Sequence, residues 1–477
     1  MPTSQTEFTL EILSYIGWVL LAIMILVFVH EMGHFLFAKL FGMRVDRFSV
    51  GFPPNILRKK AGDTEYVIGL TPLGGYVKIS GMVDESMDTS FVASEPEEWE
   101  FRSKPVWQRI VVITAGVVFN ILLAAVIFMT LKYTGGETYI PAENVKSVYI
   151  EEGSFLHDIG LRTGDRIVAV NGEPMERADE FMGLDALVAD QLTITVERDG
   201  GTVTLEGPDD VMTKLNRSDG NFGISYSPSI IGRVAGDSPA GSLGLQPGDR
   251  IVLVDSERVD FWNQLTTLIK ESEGKELLVR WQRPDSLFDA EQLAEGVTVV
   301  RRGDRHTLLE GRIAARQVTF DGEEYFGFGI GAPSGELLQS ELGFRVKEYS
   351  VAEAVVAGAG ETWITTRAIV TSLSRVVSGR DNFRETMGGP VAIAKETKRA
   401  AEGGYFWKIV AVLSITLAII NILPIPALDG GHLVFLMYEG ITRREPSLRL
   451  RMITQQIGMI VLLAFMAFLI YNDILRL

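Results

Sequence analysis

His30-Glu31-Met32-Gly33-His34 interrupts a run of residues that otherwise belong in hydrocarbon. From Ile12 to Val29 the chain carries no charge; then two imidazoles and a carboxylate arrive, and Phe35-Leu36-Phe37-Ala38 resume the apolar sequence. Read as one helix, residues 12–41 form a membrane span with an ionisable cluster inside it. Histidines at i and i+4 share a helix face, so both rings reach one metal ion, and the adjacent Glu31 is placed to hold an attacking water as general base. H-E-x-x-H on a helix therefore reads as a zinc hydrolase site, with His30 and His34 as ligands and Glu31 as the catalytic group. The competing reading is two histidines satisfied by hydrogen bonds alone. An apolar span weakens it, because polar groups left unpaired in hydrocarbon are costly.

Around that span the 477 residues sort unevenly, with apolar sequence gathered at the two ends and an aqueous insert between them. The net charge of -16, from 61 acidic and 45 basic residues, argues against a nucleic-acid partner. There are no cysteines, which excludes a disulfide framework and a thiolate metal site, so a zinc ion must be held by nitrogen and oxygen. The histidines are His30, His34, His157, His306 and His432. Residues Met1 to Glu11 contain no Lys or Arg and so lack the basic region of a cleaved signal peptide; the first span is expected to stay as an anchor.

Three further segments are expected to span the membrane: residues 106–132, 405–429 and 452–472. Arg44, Arg47, Arg58, Lys59, Lys60, Lys78, Arg102 and Lys104 lie between the first two spans, and Arg443, Arg444, Arg449 and Arg451 between the last two. By the positive-inside rule both loops face the cytoplasm, and both termini and the long segment between spans two and three face outward. In the first loop, residues 42–105, Tyr66–Leu70 and Gly75–Ile79 read as strands flanking a Thr71-Pro72-Leu73-Gly74 turn, a hairpin or small sheet beside the membrane.

The outer segment repeats itself. Gly160-Leu-Arg-Thr-Gly164-Asp165-Arg166-Ile167-Val168 aligns without gaps on Gly244-Leu-Gln-Pro-Gly248-Asp249-Arg250-Ile251-Val252. Downstream, Val196 to Gly200 is matched with Val299 to Gly303, and Phe222-Gly-Ile224 with Phe328-Gly-Ile330. The larger offset there implies an insertion in the second copy, placed within Pro284 to Gly296. Each copy has the size of one small, mainly-β domain, residues 138–226 and 227–333. Residues 350–404 follow. They include a helical stretch, Val351–Val377, whose Glu353, Glu361, Arg367 and Arg375 suit an amphipathic helix at the outer surface better than a span.

The G-L-x-x-G-D-x-I run resembles a bacterial PDZ domain, and two such copies between spans, with H-E-x-x-H in the first span, resemble the site-2 protease family of intramembrane zinc metalloproteases. The match is to its regulator-of-sigma-E type and covers nearly the whole chain, in order. The fold implied is a multi-span α-helical membrane protein with four transmembrane helices, a membrane-associated β-hairpin and two tandem PDZ domains. A tetrahedral zinc needs one more protein ligand, and the third span offers Asn421-Ile-Leu-Pro424-Ile-Pro426-Ala-Leu428-Asp429-Gly430. Two prolines two residues apart force the chain out of a helix there, which can turn Asp429 toward another span.

In the resembled family the Asp of N-x-x-P-x-P-x-L-D-G is the third zinc ligand and its Asn lies by the scissile peptide, which implies those roles for Asp429 and Asn421. The resemblance likewise implies that Gly74 and Gly75 belong to the substrate-binding hairpin, whose edge could pair with an unwound substrate; a plain glycine turn explains them equally well. Gly116 and Asn120 in span two match a family motif packed near the core, and Asn120 reads either as part of that core or as interhelical glue. His432 has no family role and is left as an outer residue. One zinc per chain is implied. So are substrates that are transmembrane segments of single-pass proteins, namely an anti-sigma factor already cut on its outer side and remnant signal peptides. The implied setting is lipid of the bacterial inner membrane, with PDZ domains and termini periplasmic. A metal transporter would not need Glu31 between its ligands, and a dead PDZ scaffold would be expected to have lost a ligand or Glu31.

Overall fold

A computed structural model describes residues 5–82, 95–218, 220–320 and 323–475; residues 83–94 of the first loop lie outside the described residues. The chain divides into two compact units, one made of residues up to 136 together with those from 348 onward, the other of Glu137–Lys347.

The first unit is helical with one small sheet. Helix α1 spans Gln5–Leu40 and α2 Val106–Gly135. Pro105 precedes α2 and Gly136 ends it with φ 61, a left-handed conformation that glycine adopts without a Cβ clash. Helix α3, Val351–Val377, opens with a Ser350/Glu353 capping box. Then come α4 (Pro390–Glu402), α5 (Phe406–Ile422), α6 (Asp429–Thr442) and α7 (Leu448–Ile474). The start of α4 is held by Asp473 at the end of α7, whose carboxylate accepts from the backbone N–H groups of Gly389, Val391 and Ala392.

Among the described residues, three helical stretches are long and apolar enough to cross a membrane: Ile16–Leu40, Val106–Gly135 and Leu448–Ile474. The segment expected as span three is the shorter apolar helix α5 of 17 residues. At 1.5 Å per residue it is about 26 Å long, just under the roughly 30 Å of a hydrocarbon core. Helices α1, α2 and α5 share a core of Ala22, Leu26, Ala124, Phe128, Val410 and Ile415. Toward the other end, Ala38, Val112 and Ile113 pack with Val45 and Ile79 of the sheet and Leu436 of α6. These two apolar patches fix α1 against α2 above and below the H-E-x-x-H turn.

The sheet is built from β1 (Val45–Ala61) and β2 (Thr64–Ile79), each bent so that it contributes two runs. The expected hairpin between residues 66–70 and 75–79 does not form. Both runs pair instead with residues 45–50: Phe48 lies opposite Tyr66 on one side and Val77 on the other. Along one side the registers rise together, from Arg47 with Glu65 to Val50 with Ile68, while on the other they run opposed, from Val45 with Ile79 to Val50 with Gly75. The four residues between the runs thus cross over a central strand, which lets residues 66–68 take its far side and leaves residues 75–79 at the sheet's edge. The remaining run, 55–61, pairs with 64–69. The loop is thus a small sheet rather than that hairpin.

The second unit contains both repeats. In the first, strands Glu173–Pro174, Arg166–Val170, Thr193–Arg198 and Gly201–Glu206 lie side by side in that order. In the second, Glu257–Arg258, Arg250–Val254, Glu276–Pro284, His306–Ala314 and Thr298–Arg302 do. The order shows that Thr193–Arg198 corresponds to Glu276–Pro284, which corrects the matching of Val196–Gly200 with Val299–Gly303. Thr298–Arg302 is an extra edge strand inside an insertion that runs from Asp285 to Arg305. The reason is an ion pair: Arg198 binds Asp165 and Arg283 binds Asp249 through the same two nitrogens, and each arginine also donates to a glycine carbonyl, Gly160 or Gly244. A buried pair pins the register more firmly than the Val-x-Arg pattern of a solvent-exposed strand. The matching of Phe222–Ile224 with Phe328–Ile330 holds: Gly223 and Gly329, with φ 71 and 79, pack on Ser154 and Ser238 at the same place in each copy. The unit's first and last strands, Glu137–Tyr139 and Arg345–Lys347, pair with each other antiparallel.

Candidate metal centre

Helix α1 presents His30 and His34 on one face, with their Nε2 atoms 3.2 Å apart and both side chains buried. The third group comes from far along the chain. Leu423 is extended because it precedes Pro424, and Pro426 cannot rejoin a helix. Ala427 is left-handed at φ 79, and Leu428 is extended again before α6 starts at Asp429. A non-glycine residue in that conformation costs roughly 1–3 kcal/mol and persists only where packing over-determines it. The packing is visible: Gly430 and Gly431 of α6 lie against the carbonyls of Leu423 and Ile425, and Gly458 of α7 lies against the Pro426 carbonyl. Held this way, Asp429 Oδ2 stands 3.1 Å from His30 Nε2 and 3.4 Å from His34 Nε2.

The three side chains offer ligand atoms all within 4.8 Å of one another. His34 Nδ1 lies 2.8 Å from the Val112 carbonyl and donates to it, so the Nε2 lone pair of that ring faces the cluster. Asp429 Oδ2 is buried and has no hydrogen-bond partner among the described residues. A set of lone pairs aimed at one point, in a buried place, is stable around a cation. Two imidazole nitrogens and a carboxylate oxygen match the three-residue protein donor set of catalytic zinc.

Glu31 is one residue from the first histidine, and Gly75 of the sheet's edge run lies against it: a Cβ there would come 3.4 Å from Glu31 Cγ and 2.9 Å from Val27 Cγ1. Gly74, by contrast, faces the Phe52 ring. Asn421 is buried in the last turn of α5, across the unwound stretch from Asp429, and is outside the ligand cluster. His432 also lies outside that cluster, lining a cavity of about 190 Å³ with Arg109, Arg451 and Pro426. Gly116 faces both imidazoles: a Cβ would fall 2.7 Å from His30 Cε1 and against His34 Nε2. Asn120, one turn on, is fully buried with its amide 3.2 Å from His30 Nδ1. Sequence reasoning missed the Val112 carbonyl, which as a backbone group has no sequence signal. It also missed Ser414 of α5, whose hydroxyl donates to the Asn120 carbonyl at 2.8 Å.

Comparison with known proteins identifies the family. Residues 18–465 match peptidase family M50. The regulator of sigma-E protease RseP of Escherichia coli K12 is 30% identical over 473 residues, covering 96% of this chain and 98% of that protein. The protein of the same name from Salmonella typhimurium is 29% identical over 482 residues, covering 98% and 100%. A Neisseria meningitidis protein whose name provisionally makes it a zinc metalloprotease is 30% identical over 469 residues, covering 96% and 98%. With apolar helices around a two-histidine, one-aspartate cluster and a family match over nearly its whole length, the chain belongs to peptidase family M50 and is a zinc metalloprotease of the membrane.

Proposed function

We propose that the protein cleaves transmembrane segments of single-pass membrane proteins, with His30, His34 and Asp429 holding one zinc ion and Glu31 acting as general base. The observation that carries the reading is the meeting of Asp429 with two histidines almost 400 residues earlier in sequence, between helices apolar enough for a bilayer. Bound zinc supplies a lowered pKa for water and polarisation of the scissile carbonyl. Val112 holds His34 in the tautomer that keeps Nε2 free. Glu31 takes the proton of the attacking water and passes it to the leaving amine.

A substrate helix hides its carbonyls in its own hydrogen bonds and must unwind to be cut. Among the described residues the run 75–79 pairs on one side only, and it passes Glu31 at Gly75, so an extended segment added to that edge would lie beside the base. Asn421 is assigned to the scissile peptide and Gly74 and Gly75 to this strand on the family resemblance. Helix α5 with its extended continuation is the third of four spans, and the two repeats are PDZ domains outside the membrane, on the side of the termini. The substrates are an anti-sigma factor trimmed on its outer side and remnant signal peptides, in keeping with the names of the relatives. The repeats then act as a filter against substrates with an intact outer domain.

The test is purified Glu31→Gln protein, assayed for zinc by mass spectrometry and for cleavage of a membrane-embedded reporter. Zinc equal to the parent with cleavage lost is the expected result, because the change removes the base and no ligand. Full cleavage by Glu31→Gln would falsify the mechanism.

A further inference from the structure

Three positions one turn apart on α2 face the histidines: Val112, Gly116 and Asn120. The first accepts from His34 Nδ1 through its carbonyl, the second leaves room for both rings, and the third meets His30 Nδ1. Asn120 is fully buried in an apolar helix, and its backbone carbonyl is held by Ser414 of α5. With the amide nitrogen toward His30, its Oδ1 is buried and has no partner among the described residues.

The amide's two ends have the same shape, so the chemistry of the ring decides which one faces it. His30 Nε2 points at Asp429 Oδ2 and at His34 Nε2. For that nitrogen to offer a lone pair to a cation, the neutral ring must carry its proton on Nδ1. A proton on Nδ1 needs an acceptor, and among the described residues the Asn120 amide, whose end toward the ring lies 3.2 Å away, supplies one when its oxygen is turned that way. With the nitrogen toward the ring the oxygen gains no donor elsewhere among the described residues, so no other hydrogen bond holds the amide that way round.

Resting on the zinc-site reading above, we infer that Asn120 presents Oδ1 to His30 Nδ1–H and is the positioning residue that fixes the tautomer and aim of this ligand. Val112 and Asn120 thus give the two histidines one acceptor each, from a single face of α2, with Gly116 between them. Such partners of metal-bound histidines typically contribute 10–100-fold to metal affinity.

The test measures zinc affinity of the full-length protein in detergent by competition with a chromophoric chelator, and the electronic spectrum of the Co²⁺-substituted form. Asn120→Leu removes the acceptor and should bind zinc about 10–100-fold more weakly with an altered spectrum. Asn120→Asp keeps an oxygen in place and should bind at least as tightly as the parent, with the parent's spectrum. Interhelical glue alone would not distinguish the two in this way. Equal affinity of Asn120→Leu and the parent overturns the inference, as does an Asn120→Asp protein as weak as Asn120→Leu, which would mean that the amide N–H is what is needed. If Asn120→Leu does not fold, Asn120→Asp decides alone, a tenfold loss overturning it. A parent that binds no zinc overturns the zinc-site reading together with this one, whereas a zinc-binding parent beside an unimpaired Asn120→Leu overturns this one only.

Discussion

Asp429 is the ligand whose removal separates holding the metal from using it. Asp429→Ala leaves two imidazoles, and zinc content after dialysis should drop well below that of Glu31→Gln, which keeps all three ligands. Equal zinc in the two variants would remove Asp429 from the site. A second contrast at this scale comes from the paired ion pairs of the repeats. The Asp249 and Arg283 side chains are 0% and 3% exposed, whereas Arg198, the partner of Asp165, is 18% exposed. Removing one partner of a fully buried pair strands the other charge and costs about 3–5 kcal/mol. Asp249→Ala should therefore lower the melting temperature of the second unit clearly more than Asp165→Ala, where water reaches the stranded guanidinium. Calorimetry of the two variants checks the order.

Helix packing around the centre depends on glycines whose places no side chain could share. A Cβ on Gly33 would come 2.5 Å from the Ala115 carbonyl oxygen of α2, and a backbone atom cannot rotate out of the way. Gly33→Ala should push α1 from α2 and reduce both zinc affinity and thermal stability. Gly17, on the same helix, has none of the described residues within 4 Å of the equivalent position, so Gly17→Ala should leave zinc binding unchanged. Zinc titrations of the pair separate close packing from any general effect of alanine in α1. The same logic applies to the unwound stretch. It bends for local reasons, Pro424 and Pro426, but its path is imposed by α7, where Gly458 lies against Pro426.

The two-unit organisation makes the filter reading testable on the whole molecule. Because Glu137–Tyr139 pairs with Arg345–Lys347, the ends of the second unit are adjacent, and residues 140–344 can be replaced by a short turn. The excised protein should still bind zinc and cut, and should now also cut a reporter that keeps its folded outer domain. If it folds and binds zinc yet rejects that reporter as strongly as the parent, the filter idea is wrong. Orientation is checked separately with single cysteines in this cysteine-free chain. In intact spheroplasts an impermeant thiol reagent should label Ser286→Cys in the second repeat and not Arg444→Cys between α6 and α7. The opposite labelling would invert the orientation.

Much of this protein is written in local sequence. An uncharged run broken by His30, Glu31 and His34 defines both a span and a zinc-type helix face, because helical period and hydrocarbon solvation act on neighbouring residues. The prolines at 424 and 426 likewise announce that the chain must leave a helix before Asp429. Register was not legible where partners are distant. Residues 66–70 and 75–79 look like a hairpin in isolation, yet the strand between them comes from residues 45–50. Val299–Gly303 looks like Val196–Gly200, yet the Asp249–Arg283 pair assigns that role to another strand. What only the tertiary structure decided is the convergence itself: Val112 and Asn120 on α2 and Asp429 beyond α5 reach the same two rings. Periodicity fixes which face of a helix a residue occupies, but long-range packing fixes which other face it meets.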